Sequence, residues 1–307
     1  MNSELGPGSL VRNGEIKLLS RLGLGGFGEV FLAQTQSGLR AVKVVNTALW
    51  SESEYEVFNA MHMSEASFLS TLDHPALPKF ADFFAEKSRY FLVMDWVKGQ
   101  NLEEFVQNEG PLELDDLFGL LGVLTEFLAY LHRRCEGVVV FGDLKPANIL
   151  RVQSGEYKLV DLGLVTKKGA KLSTKIAVFS PNYSAPERAR CKASDPIQDI
   201  YSFGATTFFA LTGEEPRREY RASELQERIR RGLKRMDCDW GDASMHCLQK
   251  LLTLVLAAMD PDPDRRPDKV RTFEIAWQRT KEVRDKELAA QPSQNTDDIV
   301  KLLYRDK

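Results

Sequence analysis

Two charged residues fall where the sequence pattern predicts buried side chains, and they restrict the possible folds more than any other feature. Lys43 lies at the centre of an apolar, strand-like run at 40–45. Glu65 lies on the apolar face of a helical segment, because Met61 and Leu69 are each four residues away. A buried charge is costly unless it meets an opposite charge, so the simplest explanation is that the two side chains pair. An edge-strand lysine that faces water is the alternative for Lys43.

The periodicity of the apolar residues changes from strand-like to helical near residue 98. Before that point, one helical segment interrupts a series of short strand-like runs, at 16–20, 29–33, 40–45, 79–85 and 90–97. After it, helical patterns dominate, at 112–132 and from 198 to about 286, with short strands between them. The pattern therefore predicts a small β-rich lobe followed by a larger helical lobe.

The composition of the 307-residue chain excludes several classes of protein. Its 41 Lys and Arg residues nearly balance its 44 Asp and Glu residues, which argues against a protein that coats nucleic acid or binds a membrane through basic residues. No run approaches the ~18 consecutive apolar residues of a membrane helix, and the first residues do not resemble a signal peptide. The four scattered cysteines are typical of reduced thiols. We therefore expect a cytoplasmic protein with no nucleic-acid partner and no membrane segment.

A glycine-rich segment, from Gly23 to Gly28, lies between two strand-like runs. Glycines allow the backbone to approach a phosphate chain closely and to point N–H groups at it. A dinucleotide-binding loop would need a helix after the glycines, whereas the run at 29–33 is strand-like. A phosphate-binding hairpin and a plain glycine-rich hairpin both fit this pattern.

Two loops that follow apolar strands carry groups suited to phosphoryl transfer. In the first, Asp143 can accept a hydroxyl proton, Lys145 can neutralise charge on a transferring phosphoryl group, and Asn148 can offer an oxygen to Mg²⁺. In the second, Asp161 can hold Mg²⁺ that bridges the phosphates. Each loop taken alone is a common turn, but their order and spacing along the chain are specific.

The order of these motifs resembles that of the Hanks-type (eukaryotic-type) protein kinases. The resemblance covers roughly residues 15–280 and includes Ala185-Pro186-Glu187, the helix around Asp199 and the segment that carries Arg266. It implies an α+β, bilobal, protein-kinase-like fold. The compact layout is more similar to bacterial members of the family than to others.

The resemblance also implies a division of the chain into domains. A small antiparallel β-rich N-lobe with one main helix would span 14–97, and a larger, mainly helical C-lobe would span 98–280. A flexible leader at 1–13 would precede this kinase domain. A C-terminal extension at 281–307, with a short amphipathic helix, would follow it.

The resemblance implies ATP and Mg²⁺, or Mn²⁺, as cofactors, and a protein with a Ser or Thr acceptor as the substrate. Lys43 would hold the α- and β-phosphates, and Glu65 would hold Lys43. Asp143 and Lys145 would act on the acceptor and the transferring group. The implied metal ligands are Asn148 and Asp161. The residues implied to line the nucleotide site are Gly23, Leu24, Gly25, Gly26, Phe27, Gly28, Val30, Ala41, Lys43, Met94, Asp95, Trp96, Val97 and Leu150.

Further residues have implied positioning roles. Ser180 would position the substrate, and Glu187 would pair with Arg266. Lys145 and Ser180 together favour Ser/Thr over Tyr as the acceptor. The apolar stack that joins the two lobes, anchored at Asp199, would consist of Leu69, Phe80, Phe141 and Leu162.

The sequence departs from the family's usual pattern just before the catalytic aspartate. Phe141-Gly142 stands where the family usually has His-Arg. Loss of that arginine removes the cation that receives an activation-loop phosphate, so control by this route is not expected. It also makes a pseudokinase scaffold, which binds ATP without transferring phosphate, an alternative function.

Two features bear on the substrate. A small-molecule kinase of related fold is a second alternative, but such enzymes typically lack Ala185-Pro186-Glu187 and a residue equivalent to Ser180. The family's acidic position that reads basic residues of a substrate falls near Asn101, with Glu103 and Glu104 close by. A preference for basic substrates is therefore left open.

Overall fold

The computed structural model describes residues 5–25, 28–47, 51, 62–63, 65–134, 137–162, 164–170, 180–190, 193–235 and 241–290. The predicted nucleotide-site residues Gly26 and Phe27 and the helix predicted within the C-terminal extension lie outside these ranges, as does Met61. In the described part, strands dominate up to residue 101 and helices dominate after it. The predicted α+β fold, with a small antiparallel N-lobe and a mainly helical C-lobe, is therefore confirmed.

The described N-lobe is built on a six-stranded antiparallel sheet. Its strands are β1 (Leu10–Val11), β2 (Ile16–Gly25), β3 (Gly28–Thr35), β4 (Gly38–Asn46), β5 (Phe80–Ala85) and β6 (Arg89–Asp95). They lie in the order β1-β2-β3-β4-β6-β5. Ile16 and Leu18 are buried whereas Lys17 and Leu19 are exposed, which is the period of two expected for a strand with one face on a core.

Strand β1 adds residues of the predicted leader to the sheet. Leu10 pairs with Lys17 and Val11 with Ile16, and Val11 is buried in the same apolar cluster as Ile16. Leu10 and Val11 are therefore an edge strand and not part of a flexible leader. Because glycine and serine residues surround these two residues, the sequence pattern did not predict this strand.

The helix of the N-lobe packs against the sheet through its apolar face. Residues 62–63 and 65–71 of this helix (α1) are described, and Glu65, Ala66 and Leu69 are buried. Ala66 and Leu69 belong to the same apolar cluster as Leu92 and Met94 of β6. This packing turns the Glu65 side of the helix toward the sheet.

The described helices of the C-lobe are α2 (Leu102–Glu109), α3 (Leu114–His132), α4 (Pro186–Ala189), α5 (Pro196–Thr212), α6 (Ala222–Arg235), α7 (Asp242–Ala258) and α8 (Arg271–Ala290). Helix α5 is the centre of the lobe, because every residue from Gln198 to Thr212 is buried. Asp195 caps its first turn by accepting from the Ile197 N–H at 3.1 Å. Gly204 lets α7 approach, since a Cβ there would lie 2.8 Å from the Cβ of Ala258.

Short strands hold the two loops that carry the predicted catalytic groups. They are β7 (Gly99–Asn101), β8 (Val139–Val140), β9 (Ile149–Val152), β10 (Tyr157–Leu159) and β11 (Thr166–Lys167). One small sheet has the order β10-β9-β7, and β11 pairs with β8 in another. The loop with Asp143 therefore runs from β8 to β9, and the loop with Asp161 runs from β10 to β11.

Helix α8 continues beyond the predicted end of the kinase domain at residue 280. Thr280 is fully buried, and the Trp277 ring lies 6.4 Å from the Phe118 ring of α3. The boundary predicted from the sequence therefore falls inside a packed helix. None of the helices within the described ranges combines the length and apolar character needed to cross a membrane.

Candidate active site

Lys43 connects three separate segments of the chain. Its Nζ donates to both carboxylate oxygens of Glu65, at 2.8 and 3.0 Å, and to Oδ1 of Asp161 at 2.8 Å. Lys43 lies on β4, which is an inner strand of the sheet, and is only 6% exposed. The pair predicted from the sequence pattern is present, and Asp161 joins it. The alternative of a water-facing, edge-strand lysine is excluded.

The cluster of Lys43, Glu65 and Asp161 contains one positive and two negative groups. Burial alone would lower the pKa of Lys43, but the carboxylates of Asp161 and Glu65 raise it above its ordinary value. The ammonium group therefore stays charged between two carboxylates, of which Glu65 also lies 3.4 Å from the Nδ1 of His62. Asp161 is the accessible member, with a side chain that is 34% exposed. This arrangement suits the binding of a further cation.

The loop between β8 and β9 folds back on Asp143. A single 3-10 turn, Pro146–Asn148, lets the Nδ2 of Asn148 donate to the backbone oxygen of Asp143 at 2.8 Å and to its Oδ2 at 3.0 Å. The Nζ of Lys145 donates to the same Oδ2 at 2.8 Å. Three predicted site residues therefore form one hydrogen-bonded unit. Because the amide nitrogen of Asn148 is engaged, its side-chain oxygen is the atom left for a ligand.

The environment of Asp143 favours the uptake of a proton. Asp143 is 7% exposed, and its burial raises the pKa of the carboxyl above the ordinary value. Lys145 opposes this rise, and the nearby charge of Asp161 adds to it. A carboxylate with raised proton affinity is better suited to act as a general base.

Asp161 and Asn148 lie on adjacent, hydrogen-bonded segments. The N–H of Val160 donates to the backbone oxygen of Asn148 at 2.9 Å. Asp161 has a φ of 62°, a left-handed conformation that costs energy for a residue other than glycine and recurs at functional sites.

The donor atoms of Asn148 and Asp161 fit a magnesium ion. An amide oxygen and a carboxylate are hard ligands, and Mg²⁺ in phosphoryl-transfer sites usually takes one or two carboxylates and fills its other positions with phosphate and water oxygens. Within the described ranges there is no group of three or more His, Cys, Asp and Glu side chains arranged to hold a metal. Phosphate and water oxygens would complete such a site.

The glycine-rich segment forms the end of the β2–β3 hairpin. Gly23 pairs with Val30, Leu24 with Glu29, and Gly25 with Gly28. Gly28 has a φ of 141°, and a Cβ there would overlap the backbone oxygen of Val44. Because a strand and not a helix follows the glycines, the dinucleotide-binding arrangement is excluded.

The apolar residues predicted around the adenine lie on neighbouring strands. Val30 pairs with Lys43 across β3 and β4, and Ala41 pairs with Met94 across β4 and β6. Ala41 and Met94 are buried, at 8% and 9% exposure. The side chains predicted to contact the base therefore start from the same part of the sheet as Lys43.

The segment predicted to read the adenine edge is fixed at its first residue. The N–H of Asp95 donates to the backbone oxygen of Lys79 at 2.9 Å, and the carboxylate of Asp95 pairs with Arg40 at 2.7 Å. Trp96 and Val97 follow and are half-buried. Leu150 lies on β9 and pairs with Asn101 of β7, which follows this segment in the chain.

Asp199 of α5 holds the backbone that precedes Asp143. It is fully buried, and its carboxylate oxygens accept from the N–H groups of Phe141 and Gly142, both at 2.9 Å. The Nε2 of His132 also lies 2.9 Å from the Oδ2 of Asp199. Three of the predicted stack residues are buried in one apolar cluster and the fourth packs against it; they are Leu69, Phe141, Leu162 and Phe80.

Glu187 and Arg266 form a second buried ion pair, deep in the C-lobe. Two guanidinium nitrogens of Arg266 donate to the two carboxylate oxygens of Glu187, at 2.7 and 2.9 Å. Arg266 also donates to the backbone oxygens of Asp260 and Ile197, at 2.8 and 3.1 Å. The contact predicted between these two residues is present, and it ties α4 to the segment before α8.

Ser180 lies on the wall of a cleft of about 310 Å³. The cleft is lined by Glu103, Lys145, Pro146, Ala147, Ser180, Pro181, Asn182, Tyr183 and Glu215. Tyr183 is 5% exposed, and its hydroxyl has no hydrogen-bond partner within the described part of the chain. Burial raises the pKa of Glu103, the charge of Glu215 adds to the rise, and Lys145 opposes it. The cleft thus places an acidic wall close to Lys145.

Asn101 does not line this cleft but caps helix α2. Its Oδ1 accepts from the N–H of Glu104 at 2.8 Å. Asn three residues before Glu is a recognisable N-cap pattern, so the sequence contained this signal. Sequence reasoning also assigned no role to Tyr183, Glu215 and Arg188, which lie beside predicted site residues.

Comparison with known proteins agrees with this geometry. A family model described as "Protein kinase domain" matches residues 16–278. The serine/threonine-protein kinase pkn2 of Myxococcus xanthus is 34% identical over 223 residues, which are 69% of this chain and 26% of that protein. The serine/threonine-protein kinase PrkC of Bacillus subtilis is 30% identical over 208 residues, 66% of this chain and 31% of that protein.

A third relative, serine/threonine-protein kinase C of Synechocystis, is 30% identical over 220 residues, 66% of this chain and 40% of that protein. The similarity thus spans a quarter to two fifths of these curated relatives. The match to the family model covers most of the chain, including both ion pairs and the Asp143 loop. The chain therefore belongs to the Hanks-type protein kinase family, and these relatives are bacterial serine/threonine-protein kinases.

Proposed function

We propose that this chain transfers the γ-phosphoryl group of ATP to Ser or Thr hydroxyls of protein substrates. The proposal rests on two neighbouring hydrogen-bonded groups. In one, two carboxylates hold a buried lysine; in the other, a lysine and an asparagine hold a buried aspartate. These residues are Lys43, Glu65, Asp161, Asp143, Lys145 and Asn148. They would supply a phosphate-facing cation, oxygens for a metal and a proton acceptor, and the charge of Asp161 acts on Asp143.

The nucleotide would be held between the glycine hairpin and the apolar residues Val30, Ala41, Met94 and Leu150. Lys43 would face the α- and β-phosphates, and Glu65 would keep its ammonium group in place. Mg²⁺, or Mn²⁺, held by Asn148 and Asp161 would neutralise negative charge on the phosphates. We also propose that Asp95 to Val97 orient the adenine through backbone groups.

Asp143 would take the proton of the acceptor hydroxyl as the phosphoryl group is transferred. Its raised pKa supports this role, and the hydrogen bonds from Lys145 and Asn148 fix the carboxylate in one orientation. Lys145 would also stabilise the negative charge of the transferring group. Positioning and electrostatic stabilisation would therefore supply most of the rate enhancement.

Asp199, Glu187 and Arg266 would act as supports for these groups. Asp199 fixes the two backbone N–H groups directly before Asp143. The pair of Glu187 and Arg266 fixes α4, which follows Ser180 in the chain. We propose that the kinase domain includes at least the expected range 14–280, with the lobes divided at 97/98. The packing of β1 and α8 supports extending it to Leu10 and Ala290.

The cleft beside Ser180 is proposed to receive the acceptor segment of the substrate. Ser180 and Lys145 both line it, which supports a Ser or Thr acceptor close to Asp143. Glu103 and Glu215 give the same cleft an acidic wall. The substrate is therefore proposed to carry basic side chains near the acceptor, read by Glu103 and Glu215 and not by Asn101.

The alternatives differ from this proposal in measurable ways. A scaffold would bind ATP without transfer, yet the groups needed for transfer are present among the described residues. A small-molecule kinase would not need Ser180 on the wall of the cleft or a fixed Ala185-Pro186-Glu187 segment. The names of the relatives also support a protein substrate.

The purified chain should be incubated with Mg²⁺, γ-labelled ATP and a generic basic protein, followed by phosphoamino acid analysis. We expect label on phosphoserine and phosphothreonine. Measurable ATP binding without any transfer would contradict the proposal and favour the scaffold. Label on phosphotyrosine alone would contradict the choice of acceptor.

The proposed basic preference can be tested with matched peptides that have Arg or Ala around one acceptor serine. We expect Glu103→Gln, which changes a half-buried residue, to reduce the preference for the Arg peptide in kcat/KM by about tenfold, and Glu215→Gln, which changes an exposed residue, to reduce it by less than about fivefold. Glu104→Gln is the matched control, because Glu104 is exposed on the same helix and does not line the cleft. Equal effects of all three changes would contradict the assignment.

A further inference from the structure

A buried arginine occupies the space beside Gly142. A Cβ at Gly142 would lie 2.5 Å from Nη2 of Arg188 and 2.8 Å from the backbone oxygen of Leu164. Gly142 also has a φ of 81°, a conformation that other residues adopt rarely. Two constraints therefore favour glycine at this position. The backbone has a positive φ, and the guanidinium group of Arg188 occupies the space that a side chain would need.

Arg188 is fixed by groups from two other segments. It lies in α4 directly after Glu187 and is 7% exposed. Its Nη1 donates to Oε1 of Gln198 at 3.2 Å, and its Nη2 donates to the backbone oxygen of Leu164 at 3.4 Å. Burial lowers the pKa of Arg188, but Asp199 and Asp143 oppose this effect, and the guanidinium stays charged because its ordinary value is so high.

The position of Arg188 joins the parts of the site that must be aligned for transfer. Gly142 directly precedes Asp143, and Leu164 lies three residues after Asp161. Gln198 directly precedes Asp199, which holds the backbone of Gly142 at 2.9 Å. One buried cation therefore touches the loop with the proton acceptor, the loop with the metal carboxylate and the central helix.

We propose that Arg188, on α4, is a positioning residue. It supplies the positive charge that the family usually carries at the position of Gly142. Its contact with Leu164 holds the loop after Asp161 against the catalytic loop. The acceptor of this contact is a backbone carbonyl oxygen, so the contact needs no added phosphate. The site is therefore aligned without phosphorylation of the chain. This inference rests on the proposed kinase function.

The first test compares Arg188→Met with Arg190→Met in phosphatase-treated protein. Arg190 is the matched control, because it is exposed and lies only two residues later. We expect kcat of Arg188→Met to fall by about 10²-fold, as for other small misplacements of reacting groups. The KM for ATP should change by less than about threefold, since the nucleotide contacts are untouched. Arg190→Met and phosphatase treatment of the wild type should leave kcat unchanged.

Arg188→Lys tests whether a positioned cation is what matters. It keeps the charge and one donor, so we expect a kcat between those of the wild type and Arg188→Met at an unchanged Tm. Wild-type kcat in Arg188→Met would overturn the inference, and so would a loss of kcat, ATP affinity and Tm in parallel in both variants. If wild-type protein transfers phosphate and Arg188→Met does so equally well, only this inference fails. If the wild type transfers none, the proposed function fails as well.

Discussion

Two buried ion pairs among the described residues, one in the C-lobe and one at the lobe junction, have similar chemistry and different balances of charge. In the C-lobe, Arg266 meets one carboxylate through two hydrogen bonds, and its remaining donors reach backbone oxygens. At the junction of the lobes, Lys43 meets two carboxylates, those of Glu65 and Asp161. The side chain of Arg266 is 0% exposed, whereas that of Asp161 is 34% exposed.

This difference separates a support from a reactive site. The pair of Glu187 and Arg266 is complete in itself, so a ligand has nothing to add to it. The cluster around Lys43 has one carboxylate in excess, and its accessible member is strained at φ 62°. A divalent cation and phosphate oxygens would complete it. The three predictions that follow test this contrast, from the largest expected effect to the smallest.

The largest effect is expected from Arg266→Met. This change leaves the buried carboxylate of Glu187 without its partner, so the free energy of unfolding should fall by about 3–5 kcal/mol and Tm by roughly 10 °C. Thermal denaturation followed by circular dichroism measures this shift. Arg230→Met is the control, because its pair with Glu227 is exposed and worth less than about 1 kcal/mol. Similar Tm values for the two variants would show that the C-lobe pair is not a support.

A smaller effect, on activity, is expected from Glu65→Gln. Lys43 would then be held mainly by Asp161 and be drawn away from the phosphates, so kcat/KM should fall by about 10- to 100-fold. Tm should stay within a few degrees of the wild type, because a hydrogen-bonding partner remains at the same place. Steady-state kinetics and denaturation would be compared with Glu282→Gln, an exposed control. A Tm loss as large as that of Arg266→Met would erase the contrast between the pairs.

The smallest effect is a gain in stability from Asp143→Asn. Because the folded pKa of Asp143 is raised, the folded state binds this proton more tightly than the unfolded state does. Its contribution to stability therefore falls as pH rises from the unfolded pKa through the folded pKa. Asp143→Asn removes this loss, so its Tm should exceed that of the wild type at neutral pH, and the difference should shrink at acid pH. A lower Tm than the wild type at neutral pH would contradict the assigned direction.

The ion pair at the lobe junction could be predicted from the sequence because both charges interrupt apolar patterns. Lys43 and Glu65 each occupy a position where a neutral residue would pack without cost, so their pairing follows from electrostatics alone. Asp161 could be assigned to a metal, but its contact with Lys43 depends on how the two lobes meet. Sequence periodicity carries no information on that arrangement.

The roles of Arg188 and Asn101 depend on local backbone geometry. The pattern of residues in the sequence predicts such geometry poorly. The space beside Gly142 exists because of its positive φ, and the residue that fills it comes from 46 positions later in the chain. Asn101 has the sequence spacing of a helix cap, but it also fell near a position that the family uses to read substrates. Strand β1 was hidden because Leu10 and Val11 have few apolar neighbours in sequence and pack through β2.

The most direct test of the central claim is phosphoryl transfer by Asp161→Asn, measured with γ-labelled ATP beside the wild type. The excess negative charge of the Lys43 cluster disappears in this variant, so transfer should fall by about 10²–10³-fold while the Tm stays close to that of the wild type. Asp268→Asn, a control on the C-lobe whose side chain is 82% exposed, should transfer at the wild-type rate. Full activity in Asp161→Asn would contradict the claim that the unbalanced cluster is the reactive site.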